Sequence, residues 1–252
     1  MGVMESIKKG FSVTFRNLPL VALLFVFGAI WNLAQLKLAP AAPVGTAPAP
    51  PSPVAIAAGL AFVLISIFVQ GGTLGFIRDA VKQGGANFSV FTQSGGKYYL
   101  RLLLAGLFIG VIVGVFVLGA VLAVSYLTQA QAAIGVVIAA ILGAIGIYVV
   151  LLMFLTPYII VAEDAGVMVS IKKSITMVKH NILKVLGLTL LLVAVGFLAG
   201  LLIGVLIGVA SAAGPASVVK LVTALAGSAV NAILGVLVTA SFMTLYFGLP
   251  QE

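Results

Sequence analysis

The sequence predicts an all-α integral membrane protein with six transmembrane helices and two or three amphipathic interfacial helices on the cytoplasmic side. Three observations carry that expectation. Eleven of the thirteen Lys and Arg residues fall in three short clusters separated by long uncharged stretches. Between Arg101 and Glu163 there is no charged side chain at all, and a bilayer core of ~30 Å needs about 20 apolar residues of helix, so this stretch crosses twice. Composition agrees: the chain is 63% hydrophobic and 7% charged, where a soluble domain carries about 25% charged residues. No soluble core formed by 252 residues hides that much apolar surface.

The elements follow in order. Lys8, Lys9 and Arg16 precede span 1, read from Leu18 to Leu36, with Pro19 in the first turn, where a missing N–H is harmless. Its apolar stretch exceeds a 7–15-residue signal-peptide core and a second span follows, so an uncleaved signal anchor is expected. Six of the ten prolines lie in 39–53, which reads as an extended, uncharged outer loop. Span 2 runs from Val54 to Ile77 and ends at Arg78, Asp79 and Lys82, where a surface ion pair is expected. A Gly-rich inner segment, 84–96, leads to Lys97, Tyr98, Tyr99 and Arg101, residue types that suit a headgroup boundary. Span 3 covers Leu102 to Leu127, Thr128 to Gln131 forms a short outer turn, and span 4 covers Ala133 to Val161. Pro157 should kink that helix or free a carbonyl. The third inner segment opens at Glu163 and Asp164 and carries Lys172, Lys173, Lys179, His180 and Lys184. Asp164, just ahead of an amphipathic stretch, is read as its N-cap. Span 5 covers Val185 to Ala210, Ser211 to Ser217 is an outer turn, and span 6 covers Leu221 to Phe247. Lys37 and Lys220 are the two cations left outside, and eleven against two places both termini in the cytoplasm.

Met168, Ile171, Ile175, Val178 and Ile182 recur at helical spacing, with Lys172, Lys173, Thr176 and Lys179 on the other side. That pattern is an interfacial helix whose apolar stripe enters the acyl boundary while lysines meet headgroups. The N-terminus repeats it with Met4, Ile7, Phe11 and Leu18 against Lys8, Lys9 and Arg16. The two segments match at a fixed offset of 164: Met4, Ser6, Ile7, Lys8 and Lys9 align with Met168, Ser170, Ile171, Lys172 and Lys173, and Asn17, Val21 and Leu24 align with Asn181, Val185 and Leu188. Phe88, Phe91 and Tyr98 look like a shorter, degenerate copy. One membrane domain of three units, 1–85, 86–163 and 164–252, is expected, each an inner segment plus a transmembrane hairpin; repeats are common in membrane folds.

An inner-leaflet helix followed by a span recurs with the phrases G-F-I-R-D-A-V-K-Q-G (75–84) and T-P-Y-I-I-V-A-E-D-A-G-V-M-V-S-I-K-K-S (156–174). This pattern resembles the membrane-domain family of glycerophosphoryl diester phosphodiesterases and its stand-alone YciC-like inner-membrane relatives. Some of those relatives carry a soluble phosphodiesterase domain. None is read here, so the resemblance implies the membrane architecture and no phosphodiesterase activity.

Several chemistries find no residues. Cysteine is absent and His180 is the single histidine, so no thiol nucleophile, thiolate metal site, His-based triad or multi-His metal centre can be built. No ionisable group lies within the spans, which lowers the prospect of proton-coupled transport. The uncharged polar residues Asn32, Gln70, Tyr148, Thr189 and Asn231 read as interhelical hydrogen-bonding groups. Gly106, Gly110 and Gly114 in span 3, and Gly196, Gly200, Gly204 and Gly208 in span 5, form glycine-zipper faces read as helix contacts within the bundle; a homo-oligomer interface or a glycine-lined pore is the alternative. The net charge of +8 is read as retained cytoplasmic charge, not nucleic-acid binding.

The expected function is therefore non-enzymatic: a membrane scaffold or lipid-interacting protein of the cytoplasmic membrane, without cofactor or metal. Its partners would be anionic lipids, met by Lys8, Lys9, Arg16, Lys172, Lys173, Lys179 and Lys184, each contributing ~1 kcal/mol near the surface. The alternatives are a passive channel or transporter, and a membrane anchor or accessory subunit of a larger complex or homo-oligomer.

Overall fold

A computed structural model describes residues 2–38, 52–126, 132–213 and 215–250. Among them the chain is helical, without strands: α1 (Val3–Arg16), α2 (Leu18–Leu38), α3 (Pro53–Gln83), α4 (Phe88–Tyr126), α5 (Ala132–Met153), α6 (Thr156–Glu163), α7 (Val167–His180), α8 (Ile182–Ala213) and α9 (Ala216–Gly248). Six stretches are long and apolar enough to cross a membrane: α2, α3, α4, α5 with α6, α8 and α9. The outer loop read at 39–53 lies outside the described residues except for Ser52 and Pro53, and the whole of the turn read at 128–131 lies outside them.

Polar residues in the backbone's path set the helix boundaries. Ser52 caps α3 by accepting the Ala55 N–H at 3.2 Å, and Pro53 takes the first helical position, where no N–H partner is lost. Gly84, with φ 78°, ends that helix in the left-handed conformation glycine adopts without cost. At the α1–α2 junction the Asn17 side chain donates to the Val13 carbonyl at 2.7 Å. Its own carbonyl then accepts from the Leu20 and Val21 N–H groups, at 3.0 and 3.4 Å. Asn181 does the same between α7 and α8, donating to Met177 and accepting from Lys184 and Val185. One asparagine thus satisfies the end of one helix and the start of the next, which lets the chain turn without orphaned backbone groups.

The break expected from Pro157 falls at Phe154–Leu155, between α5 and α6. Proline cannot donate to the carbonyl four residues back. The Leu152 carbonyl at this break accepts from the Ser174 hydroxyl of α7 at 2.7 Å, so α7 is tied to the place where α5 ends.

The α1 residues that face protein are Ser6, Ile7, Gly10, Val13 and Thr14. Those of α7 are Ser170, Ile171, Ser174, Met177 and Val178, the same five places 164 residues on. α1 rests on α9 and α8, α7 rests on α5 and α6, and the first turns of α4 rest on α3. This corrects part of the sequence reading. Ile7, Ile171 and Val178 were assigned to the acyl boundary, yet they are buried against protein. The reason lies in Ser6 and Ser170, whose hydroxyls are satisfied by the carbonyls of Gly2 and Gly166 four residues back. Small, internally bonded serines leave a face that neighbouring helices can approach. Met4, Phe15, Leu18, Met168 and Val169 remain exposed.

The glycine faces require a second correction. A Cβ added at Gly106, Gly110, Gly114, Gly200, Gly204 or Gly208 meets no atom within 4 Å, and at Gly196 it meets only Leu234, at 3.7 Å. α8 uses Val185, Leu188 and Leu192 as its buried contacts, so the glycines further along serve no close contact within the chain. Close approach occurs instead at Gly71, Gly72 and Gly75 of α3 against Phe91, Ser94 and Gly95 of α4, and at Gly10 of α1 against Ser241 of α9.

Candidate functional site: the charged end of the bundle

The charged residues of the inner segments gather at one end of the bundle, and two kinds of cation are found there. The first kind is tied into protein. Arg78 donates to Asp79 at 2.7 Å, to the Tyr98 hydroxyl at 3.2 Å and to the Val161 carbonyl at 3.1 Å. Lys97 and Arg101 of α4 both reach the Asp164 carboxylate, at 2.7 and 2.6 Å, and Arg101 also donates to the Asp164 carbonyl at 2.8 Å. Lys173 pairs with Glu163 at 2.6 Å, and the Tyr246 hydroxyl donates to the same carboxylate. Lys82 lies over the Phe247 ring, 4.7 Å from its centroid. The two phrases at 75–84 and 156–174 are therefore neighbours in space, joined through Arg78 and the end of α6.

Asp164 does not cap α7. Gly166 occupies that position, and Asp164 ends α6 with φ 56°, a left-handed conformation that aspartate tolerates better than most residues. Its carboxylate points to α4 because Lys97 and Arg101 stand there. Hydrogen bonds from Lys97, then from Arg101, hold its pKa below the usual aspartate value. A lowered folded-state pKa contributes stability that is present above the unfolded value and lost as pH falls through the folded one. Acidification from the ordinary aspartate range down through that lowered value should therefore loosen the contact between α4 and α6. Melting curves of the parent and Asp164→Asn across that window check this: the parent should lose a stability increment that the variant lacks at every pH. Parallel curves would show that Asp164 does not contribute.

The second kind of cation is free of carboxylates. Among the described residues Lys8, Lys9, Arg16, Lys172, Lys179 and Lys184 form no ion pair. Lys172, with Lys173, Thr176, His180, Asn181 and Pro250, lines a crevice of about 470 Å³. His180 Nδ1 lies 3.0 Å from the Thr176 carbonyl, which fixes the ring at the crevice wall. α7 places these groups together because Lys172, Thr176 and His180 follow one another at four-residue spacing on one face. The Lys172 ammonium and the His180 imidazole at this cleft form a donor set for an anionic oxygen cluster, while the Thr176 hydroxyl already donates to the Lys172 carbonyl at 3.2 Å. The sequence places His180 at the headgroup level among the lysines but gives it no contact of its own, although its spacing from Lys172 and Thr176 carries the signal.

Of the uncharged polar residues in the spans, Asn32, Gln70 and Asn231 come to one cavity, whereas Tyr148 is exposed on the outside and Thr189 bonds its own helix at Val185. A family model described as "Domain of unknown function (DUF7847)" matches residues 1–249. Comparison with curated proteins and with solved structures gave no match.

Proposed function

The chain belongs to the family described as Domain of unknown function (DUF7847), and on that premise we propose a non-enzymatic, lipid-interacting protein of the cytoplasmic membrane, with both termini inside and the basic ends of α1 and α7 on anionic headgroups. The observation that carries this reading is the crevice of Lys172, Thr176 and His180, where Lys172 has no carboxylate partner among the described residues although the neighbouring Lys173 pairs with Glu163. Exposed apolar residues lie beside the cations of these helices, Met4 and Phe15 on α1 and Leu183 just past α7. Apolar side chains next to lysines match the acyl–headgroup boundary. The resemblance to the membrane domains of glycerophosphoryl diester phosphodiesterases and to YciC-like proteins is in keeping with this role. So is the reading of three units, 1–85, 86–163 and 164–252, which the equal buried positions of α1 and α7 support.

A test uses the full chain in nanodiscs of phosphatidylcholine alone or with phosphatidylglycerol. Anionic lipid should raise the melting temperature, salt should reduce that gain, and the triple change Lys8→Gln, Lys9→Gln, Lys172→Gln should remove most of it. Equal melting in the two lipids would overturn the proposal. Passive transport is the second reading, favoured by a cavity within the spans. Leu155, Ile159, Leu237 and Phe242 are fully buried towards the charged end, which supports a closed site over a through path.

A further inference from the structure

We infer that the cavity between α2, α3, α5, α6 and α9 is a binding site for a neutral amphiphile: an apolar chain or ring body carrying uncharged ester, carbonyl or hydroxyl oxygens. It measures about 600 Å³, within the ~300–1,000 Å³ of small-molecule sites. None of its lining residues is charged, so no counter-ion awaits a phosphate, carboxylate or metal ion. Leu74, Val150 and Met153 form apolar wall. Trp31 stacks on Phe62, with centroids 4.0 Å apart and planes 13° off parallel, making a flat aromatic side.

Three polar groups on this wall lack partners. The Thr73 hydroxyl belongs to a residue only 6% exposed and has no hydrogen bond among the described residues. The amides of Gln70 and Asn231, both on exposed residues, also have none among the described residues. By contrast, the Asn32 amide is already committed, donating to Ser228 Oγ at 2.8 Å and to the Ala224 carbonyl at 3.3 Å. Both amides lie on exposed positions inside apolar spans, where lipid offers no bulk water to turn to. Water alone is a poor occupant, because predominantly apolar cavities stay dry. Amide donors set into an apolar wall suit a molecule whose oxygens are uncharged and whose remainder is hydrocarbon, while the Thr73 hydroxyl oxygen is covered by protein. The assignment does not depend on the surface lysines.

Trp31 is the only tryptophan of the chain, so the site carries its own reporter. The full-length protein in phosphatidylcholine nanodiscs is titrated with three brominated quenchers: a monoacylglycerol, the corresponding fatty-acid anion, and phosphatidylcholine as the bulk control. The expected result is saturable quenching by the monoacylglycerol at low mole fraction, with the anion at least about tenfold weaker, the worth of roughly one unmatched polar contact. The double change Gln70→Leu, Asn231→Leu should weaken the neutral ligand by a similar factor. Gly235 lines the cavity and a Cβ there meets no atom within 4 Å, so Gly235→Leu should project into the space, leave melting unchanged and abolish saturation. Quenching that rises linearly with mole fraction, or that is the same in Gly235→Leu, would overturn the site. Tighter binding of the anion than of the neutral lipid would overturn the ligand class.

Discussion

Replacing Gly72 by leucine is expected to unfold the α3–α4 pair, among the largest losses available from one change in the spans. A Cβ at Gly72 would stand 2.7 Å from the Phe91 backbone oxygen and 2.8 Å from the Phe91 ring. The ring can rotate, but the oxygen belongs to the α4 backbone and cannot move without the helix. Overpacking a filled site costs ~1–3 kcal/mol for small additions, and leucine adds three more carbons past the Cβ. Separating the helices also loosens the Ser94–Gly75 contact one turn along, because small residues at the crossing are what allow close approach. Gly110→Leu on α4 is the control, since nothing lies within 4 Å there, and it should stay within ~0.5 kcal/mol of the parent. Gly75 refines the test. Its Cβ would stand 2.1 Å from the Ser94 hydroxyl oxygen, a side-chain atom that can be deleted. Gly75→Ala should therefore destabilise, and Ser94→Gly in the same chain should restore much of the loss, a coupling that a double-mutant cycle measures. Parent-like melting of Gly72→Leu in detergent would show that α3 and α4 do not meet this closely in solution.

These glycines show where the sequence was readable and where it was not. Long apolar stretches bounded by charge define the spans, because a bilayer leaves few alternatives for such segments. The duplicated block from Met4 and Met168 pointed to matching helices, and both end at an asparagine that the alignment already paired. Spacing alone did not reveal which glycines touch anything. Gly196, Gly200, Gly204 and Gly208 keep a perfect four-residue register, yet the last three face open space, whereas Gly71, Gly72 and Gly75 have a less regular spacing and make close contacts. A small-residue stripe states that approach is permitted; only the neighbour's shape decides whether it occurs. Asp164 failed for a related reason. Its place before a helix fits a cap, but two cations from α4, distant in sequence, outcompete a local N–H. The cavity shows the same limit: Asn32, Gln70 and Asn231 were visible as polar residues within spans, and nothing local to any of them indicated a shared void.

Arg78→Met is expected to be the most damaging change at the charged end. The guanidinium serves three acceptors on three sides: Asp79 beside it, Tyr98 on α4 and the Val161 carbonyl in the last turn of α6. Carbonyls in a helix's last turn have no partner within the helix, and a cation there is also favoured by the helix dipole. Methionine keeps the apolar stem and none of these bonds. It leaves Asp79, whose side chain is 16% exposed, without its cation, and stranding one member of a partly buried, hydrogen-bonded pair costs ~1–3 kcal/mol. Arg78→Lys should recover part of the loss, because one ammonium restores the charge but cannot span all three acceptors in the guanidinium's planar fork. Asp79→Asn added to Arg78→Met should also recover part, by removing the stranded charge. Unfolding in denaturant gives the magnitudes, and amide exchange at 160–163 reports whether the end of α6 frays. If Arg78→Met melts within ~0.5 kcal/mol of the parent, in the range of an ordinary surface change, and exchange at 160–163 is unaltered, the three bonds do not hold α3, α4 and α6 together.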